Sequence, residues 1–349
     1  MASTYNTYNL LFTDGDFDLA LPNQTYRVHK AILAEKSQVF ADMFLIAQPE
    51  SAVPVIQLED EQETFALFLH ALYNHDLDSY IPQYQRNTTK LIARTLDVSN
   101  KYEVAANPML DKFTPYINRD WPDTLAGWDA VEEYADQLRK RLEEAKEDPG
   151  GNDQLPEPAS AIRFAYLYAP SESTMEEIPK YLPAAFYHLA RLPPEADVDA
   201  TARGFWDVEG GRSAIFSLLR HQDMMCLYNG IYNIRNTAAE IAFKDFQEAA
   251  QGDEAAESEK TAMLEWWKLF AIQRLVGPNE LLDPLAELKR LVDLLGEGSQ
   301  LQEPESIVLR ERAGAAYRKR MQKWLQKQRE DIWKDLPRKF SLFEFFYYS

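Results

Sequence analysis

Bulky apolar side chains alternate along Phe17-Asp18-Leu19-Ala20-Leu21. That period places Phe17, Leu19 and Leu21 on one face of a half-buried strand. Pro22-Asn23-Gln24 supplies turn residues, and Tyr26 and Val28 share a face of a second strand over 25–28. The period then changes. Ala31, Ile32, Leu33 and Ala34 open a helical run, and Ser37 is placed as the N-cap of a second helix carrying Val39, Phe40, Met43 and Phe44. Val55-Ile56-Gln57-Leu58 reads as a third strand. Asp60 and Glu63 have capping-box spacing before a helix with Phe65, Phe68, Leu69, Leu72 and Tyr73 at helical intervals. After an insertion at 76–89, Leu91, Ile92 and Leu96 lead into Lys101-Tyr102-Glu103-Val104.

The remaining chain reads as helix. A long amphipathic segment over 124–146 carries Leu125, Trp128, Val131, Tyr134, Ala135, Leu138 and Leu142 on one stripe. Asp148-Pro149-Gly150-Gly151, with Pro156 and Pro158 behind it, is the best linker or loop. Helical patterns follow over 161–168, 175–192, 213–246 (with Gly230 as a divider), 263–276, 281–295 and 303–336. No strand-like alternation and no fixed-period repeat follows Leu58. The chain thus divides into an N-terminal α/β domain at 14–118, a connecting amphipathic helix at 119–147, a linker or loop at 148–158, and an all-α C-terminal region at 159–349.

Asp18, Leu21, Tyr26, His29, Lys30, Leu33, Ser37 and Phe40 stand in an order that resembles the start of a BTB/POZ domain. The segments around Leu58 to Tyr73 and Leu91 to Val104 continue the resemblance, which covers about the first third of the chain. It implies a short sheet flanked by helices and a protein–protein interaction module. It further implies a charged pocket formed by Asp18 and Lys30 near a dimer seam. Dimeric members carry an extra N-terminal helix or strand, for which residues 1–14 leave little room, so homodimerisation stays open. The resemblance also implies a possible cullin-binding surface after the second helix, here Phe44, Leu45 and Glu50, with Gln48 where an apolar residue is usual. The stretch over 181–192, with Cys226, resembles BTB proteins of higher fungi.

The composition, 46% hydrophobic over 349 residues, allows a substantial core. A net charge of −19 argues against general nucleic-acid binding and against docking on anionic membrane. Cys226 is the single cysteine, so no internal disulfide forms. No signal-peptide pattern or spanning apolar run is present, which suggests a cytoplasmic or nuclear protein.

Candidate chemistry is sparse. None of the five histidines has metal-ligand spacing, and His70 and His75, five apart, should face different ways on a helix. No metal and no cofactor is expected. No phosphate-binding glycine loop or nucleophile motif appears, so no catalytic residue is assigned and a non-enzymatic role is expected. A basic run includes Arg318, Lys319, Arg320 and Lys323; it reads either as the solvated face of a helix or as a nuclear-import or acidic-partner patch. The aromatic tail over 340–348 should dock as a strap or serve as a partner peptide. Three readings follow: a scaffold or adaptor, a substrate-recruiting subunit of a cullin ubiquitin ligase, and a nuclear transcription or chromatin co-factor.

Overall fold

The computed structural model describes residues 12–45, 54–145, 155–168, 178–192, 197, 213–250, 256–277, 283–296 and 304–343. The chain forms two compact units: Met1–Asp120 with Asn152–Glu172, and Trp121–Gly151 with Ser173–Ser349.

The first unit holds a three-stranded sheet in the order β2-β1-β3. β1 (Phe17–Leu21) pairs antiparallel with β2 (Gln24–Val28) and parallel with β3 (Val55–Gln57). Alternation predicts a half-buried β1, but every residue of it is buried. It is the central strand, so its neighbours cover Asp18 and Ala20 as well. α1 (Lys30–Lys36) follows, then α2 (Gln38–Leu45). Ser37 caps α2: its Oγ accepts the Phe40 N–H at 3.1 Å and donates to the Tyr102 carbonyl at 2.5 Å. Phe40 in turn stacks flat on Tyr102, 4.5 Å between centroids, beside Phe65 and Phe68.

α3 (Gln62–Leu72) is buried from Thr64 onward. The expected Asp60–Glu63 capping box does not form. Glu61 is the N-cap and makes no side-chain cap, while Asp60 instead accepts from Lys101 Nζ at 2.6 Å and the Tyr102 hydroxyl at 2.5 Å. A nearby cation and a buried phenol compete for that carboxylate and win. The insertion is held by α5 (Ala106–Asp120): Arg119 donates to the Ile81 and Pro82 carbonyls, and Asp120 accepts the Tyr84 N–H at 3.1 Å. Against α4 (Thr88–Lys101) lies a helix from beyond the linker, α7 (Pro158–Tyr168). The Tyr168 hydroxyl donates to the Ala93 carbonyl and to Asp97. Glu157 immediately precedes α7, and its buried carboxylate accepts the Ala159 and Ser160 N–H groups.

The second unit contains α6 (Leu125–Ala145), α8 (Leu182–Ala190), α9 (His221–Glu240), α10 (Phe246–Ala250), α11 (Glu257–Trp266), α12 (Ile272–Val276), α13 (Pro284–Leu295), α14 (Pro304–Arg312) and α15 (Ala315–Lys339). Of the stripe that periodicity predicts, α6 buries Leu125, Trp128, Val131, Ala135 and Leu138; Tyr134 is half-buried, and the Leu142 side chain lies outside the described residues. α13 runs along α15, where Arg329 Nε donates to the Leu285 carbonyl and Gln322 to that of Val292.

Three helix boundaries differ from the periodic reading. The expected helix over 303–336 is two, broken at Gly314 with φ +71°, where the Glu259 carboxylate fills the space of a β-carbon. Gly230 does not divide α9, which runs through it to π-helical Ile241–Asp245. A second π segment, Trp267–Ala271, interrupts the run over 263–276. The two interlock: Trp267 Nε1 donates to the Ala242 carbonyl at 2.8 Å, and Phe246 stacks on Trp267 at 4.2 Å. π-helical turns change the ladder register, and an indole donor satisfies a carbonyl at that irregularity. Of the aromatic tail, Phe340 and Leu342 are buried and Phe343 is exposed; 344–349 lie outside the described residues.

Candidate interaction surfaces

The hairpin register places Asp18 opposite Arg27. The Asp18 carboxylate accepts two hydrogen bonds from the Arg27 guanidinium, at 2.8 and 2.9 Å. The hydrogen bond from Arg27 holds the Asp18 carboxyl below its usual range, against the opposing effect of burial. Lys30, the residue matched to the family pattern, is turned elsewhere. Its N–H donates to Asp16, and its ammonium lies 5.1 Å from the centroid of the Phe17 ring. The cation that meets Asp18 is therefore Arg27. A two-residue turn at Pro22-Asn23 implies this cross-strand pairing, a signal the family match at Lys30 obscures.

At the end of α2, Phe44 is half-buried, with its ring 4.6 Å from that of Phe17. Leu45 is 83% exposed. Gln48 and Glu50 lie outside the described residues, as do 1–11 of the leader. Of the anticipated partner surface, Leu45 is thus the side chain that the described residues present to solvent.

The four basic residues on α15 do not act alike. Arg318 is buried and donates to the Arg310 carbonyl and to Glu311. Arg320 lies over Tyr317 at 4.8 Å. Lys319 and Lys323 are exposed. Arg318 is therefore a structural cation and leaves the patch.

His70 and His75 meet, contrary to the helical-wheel expectation. α3 ends with Asn74 at φ 55°, the Asn74 N–H on the Ala71 carbonyl and the His75 N–H on that of His70. This helix-ending motif brings the third-last helical residue and the second residue past the cap together. The two Nδ1 atoms lie 2.9 Å apart, a hydrogen bond whose donor is set by the tautomers of the two rings, and Tyr80 stacks on His70. Among the described residues no group of three or more His, Cys, Asp or Glu is placed to hold a metal. A cleft of about 310 Å³ opens between α3, α4 and the insertion, but Arg94 in it already pairs with Glu61 at 3.0 and 3.2 Å.

Sequence reasoning passes over a connected polar cluster in the second unit. Arg191, 5% exposed, donates to Glu132 and Asp283 and lies over Trp128 at 4.7 Å. Asp283 also accepts the Tyr187 hydroxyl and caps α13 through the Ala286 N–H. Burial, and then the Asp283 charge, push the Tyr187 phenol far up, while the two carboxylates outweigh burial at Arg191 and keep it protonated. The cluster joins α6, α8 and α13, so its geometry is that of a core tie. Its members are 59 and 92 residues apart in sequence, and no local pattern announces it.

A small mixed sheet with α-helices packed on it, followed by a helical region, is the architecture these contacts define. Comparison with known families identifies residues 8–106 as a BTB/POZ domain, a non-catalytic protein–protein interaction module. No curated protein and no solved structure matches the chain. Among the described residues, no helix is long and apolar enough to cross a membrane.

Proposed function

We propose that this chain is a scaffold or adaptor in which the BTB/POZ domain docks one protein and the helical region holds another. The observation that carries the reading is the interaction domain at 8–106 within one compact unit, with most of the remaining chain in a second unit that has its own core. A cullin-type scaffold is one partner class for the first unit. It is favoured by Leu45, an 83% exposed leucine at the last position of α2, beside an aromatic anchor seated on Phe17.

Calorimetry of the full chain against the N-terminal region of a cullin tests this. Micromolar binding that Leu45→Asp and Glu50→Lys weaken makes the chain a ligase adaptor. Absence of binding removes the cullin and leaves the scaffold reading, whose partners would then be sought with each unit as bait.

A further inference from the structure

The insertion over 76–89 builds a cleft of about 310 Å³ whose charges are not all spent. The start of α3 contributes Glu61 and Glu63, and the first turns of α4 contribute Lys90 and Arg94. The insertion adds Tyr80 and Pro82. That third wall is fixed before any ligand arrives. Arg119 donates to the Ile81 and Pro82 carbonyls at 3.1 and 2.9 Å, and the Tyr80 ring stacks on His70 with centroids 3.9 Å apart. A cleft already held in shape lowers the ordering cost of binding.

Arg94 and Glu61 bridge the α3 and α4 walls and neutralise each other. Glu63 and Lys90 are left over. Neither has a hydrogen-bond or ion-pair partner among the described residues. Partial burial, and then the Glu61 charge, hold the Glu63 carboxyl above its usual range, with Arg94 opposing. That is the condition of a carboxylate without a cation of its own. Arg86 lines the cleft as well. A ligand bearing only negative charge would meet Glu61 and Glu63, and one bearing only positive charge would meet Arg86, Lys90 and Arg94. A ligand bearing both signs satisfies both walls. Tyr80, Pro82 and Leu91 present half-buried apolar surface in the same cleft.

We propose that this cleft binds a small zwitterion with an apolar side chain, a free amino acid of the leucine or phenylalanine kind. Its ammonium sits on Glu63, its carboxylate on Lys90, and its side chain against Tyr80, Pro82 and Leu91. Both ligand charges thereby meet groups that have no other partner, and the Glu61–Arg94 pair stays intact. The cavity lies at the small end of ligand sites, which run from roughly 300 to 1,000 Å³, so it suits a molecule of that size.

Ligand-observed NMR titration of the full chain near neutral pH tests this with four probes: L-leucine, L-phenylalanine, N-acetyl-L-leucine and L-leucinamide. At least one of the two amino acids is expected to bind saturably, at about millimolar or tighter. N-acetylation removes the ammonium and amidation removes the carboxylate, and each should weaken leucine binding about tenfold. Glu63→Gln and Lys90→Gln change exposed positions, and circular dichroism checks that both variants stay folded. Glu63→Gln should weaken leucine to the level of N-acetyl-leucine while leaving N-acetyl-leucine unchanged. Lys90→Gln should do the same with respect to leucinamide. Absence of saturable binding by both amino acids overturns the proposal. So does equal binding of leucine and its two derivatives, which would mean apolar contact alone. Variants that weaken all four probes alike, or none, overturn it too.

Discussion

Gly230, in the middle of α9, lies so close to the ring of Phe340 that a β-carbon on it would overlap that ring. Phe340 is fully buried. Two hydrogen bonds flank the contact: Asn233 donates to the Lys339 carbonyl at 2.8 Å, and Lys339 Nζ donates to Thr237 Oγ1 at 2.7 Å. The end of α15 is thereby strapped across α9. A helix-interior glycine costs about 1 kcal/mol relative to alanine, and here it makes room for an aromatic ring.

Gly230→Ala should therefore destabilise the chain by about 1–3 kcal/mol despite its better helix propensity. Phe340→Ala should cost about 3–5 kcal/mol. Because both act on one contact, the double variant should lose less than the sum. Urea midpoints of the three variants check this; full additivity would mean that the two residues do not share a contact.

The Arg191 cluster should behave as a buried ion network. Arg191→Ala leaves Glu132 and Asp283 without their shared cation, and a loss of about 3–5 kcal/mol is expected. Glu132→Gln keeps a hydrogen-bond acceptor and leaves Asp283 in place, so it should cost clearly less. Thermal melts of the two variants, compared at their midpoints, measure the difference. Equal and small effects would mark the cluster as solvated.

Two buried groups of the first unit should give opposite pH dependences. Burial and then the neighbouring His75 push the His70 imidazole down to about 4. The folded state favours its neutral form, so its contribution is present above about 6.5 and is lost as pH falls towards 4. Burial pushes the Asp120 carboxyl up to about 6, with Arg119 opposing. The folded state favours the protonated acid, so that contribution is present at low pH and is lost as pH rises through about 6. Between about pH 4 and 6 the slopes oppose each other. His70→Gln should leave stability falling with pH in that window, and Asp120→Asn should leave it rising. Urea midpoints at half-unit pH steps read the slopes, and unchanged slopes would refute the assignment.

Local chemistry made much of the chain legible. The strand at Phe17 to Leu21, the Ser37 cap and the buried positions of the α6 stripe each follow from spacing or from a residue's intrinsic preference, and these are properties of neighbours along the chain. So is the ordered set from Asp18 to Phe40 that points to a BTB/POZ domain, which the sequence places at 14–118 and the family comparison matches over 8–106.

Other features needed residues that are distant in sequence to come together. Asp60 left its capping role because Lys101 and Tyr102 arrive beside it. Asp18 met Arg27 because a hairpin register chose the cation, and Arg318 left the basic patch because Glu311 and a carbonyl captured it. His70 met His75 because a left-handed residue folded the chain back, which a helical wheel cannot represent. Arg191 gathered Glu132 and Asp283 across two helix junctions. Periodicity reports which face of an element is buried. Which charge meets which, and where a helix breaks, depends on the desolvation and packing of groups that become neighbours only in the folded chain.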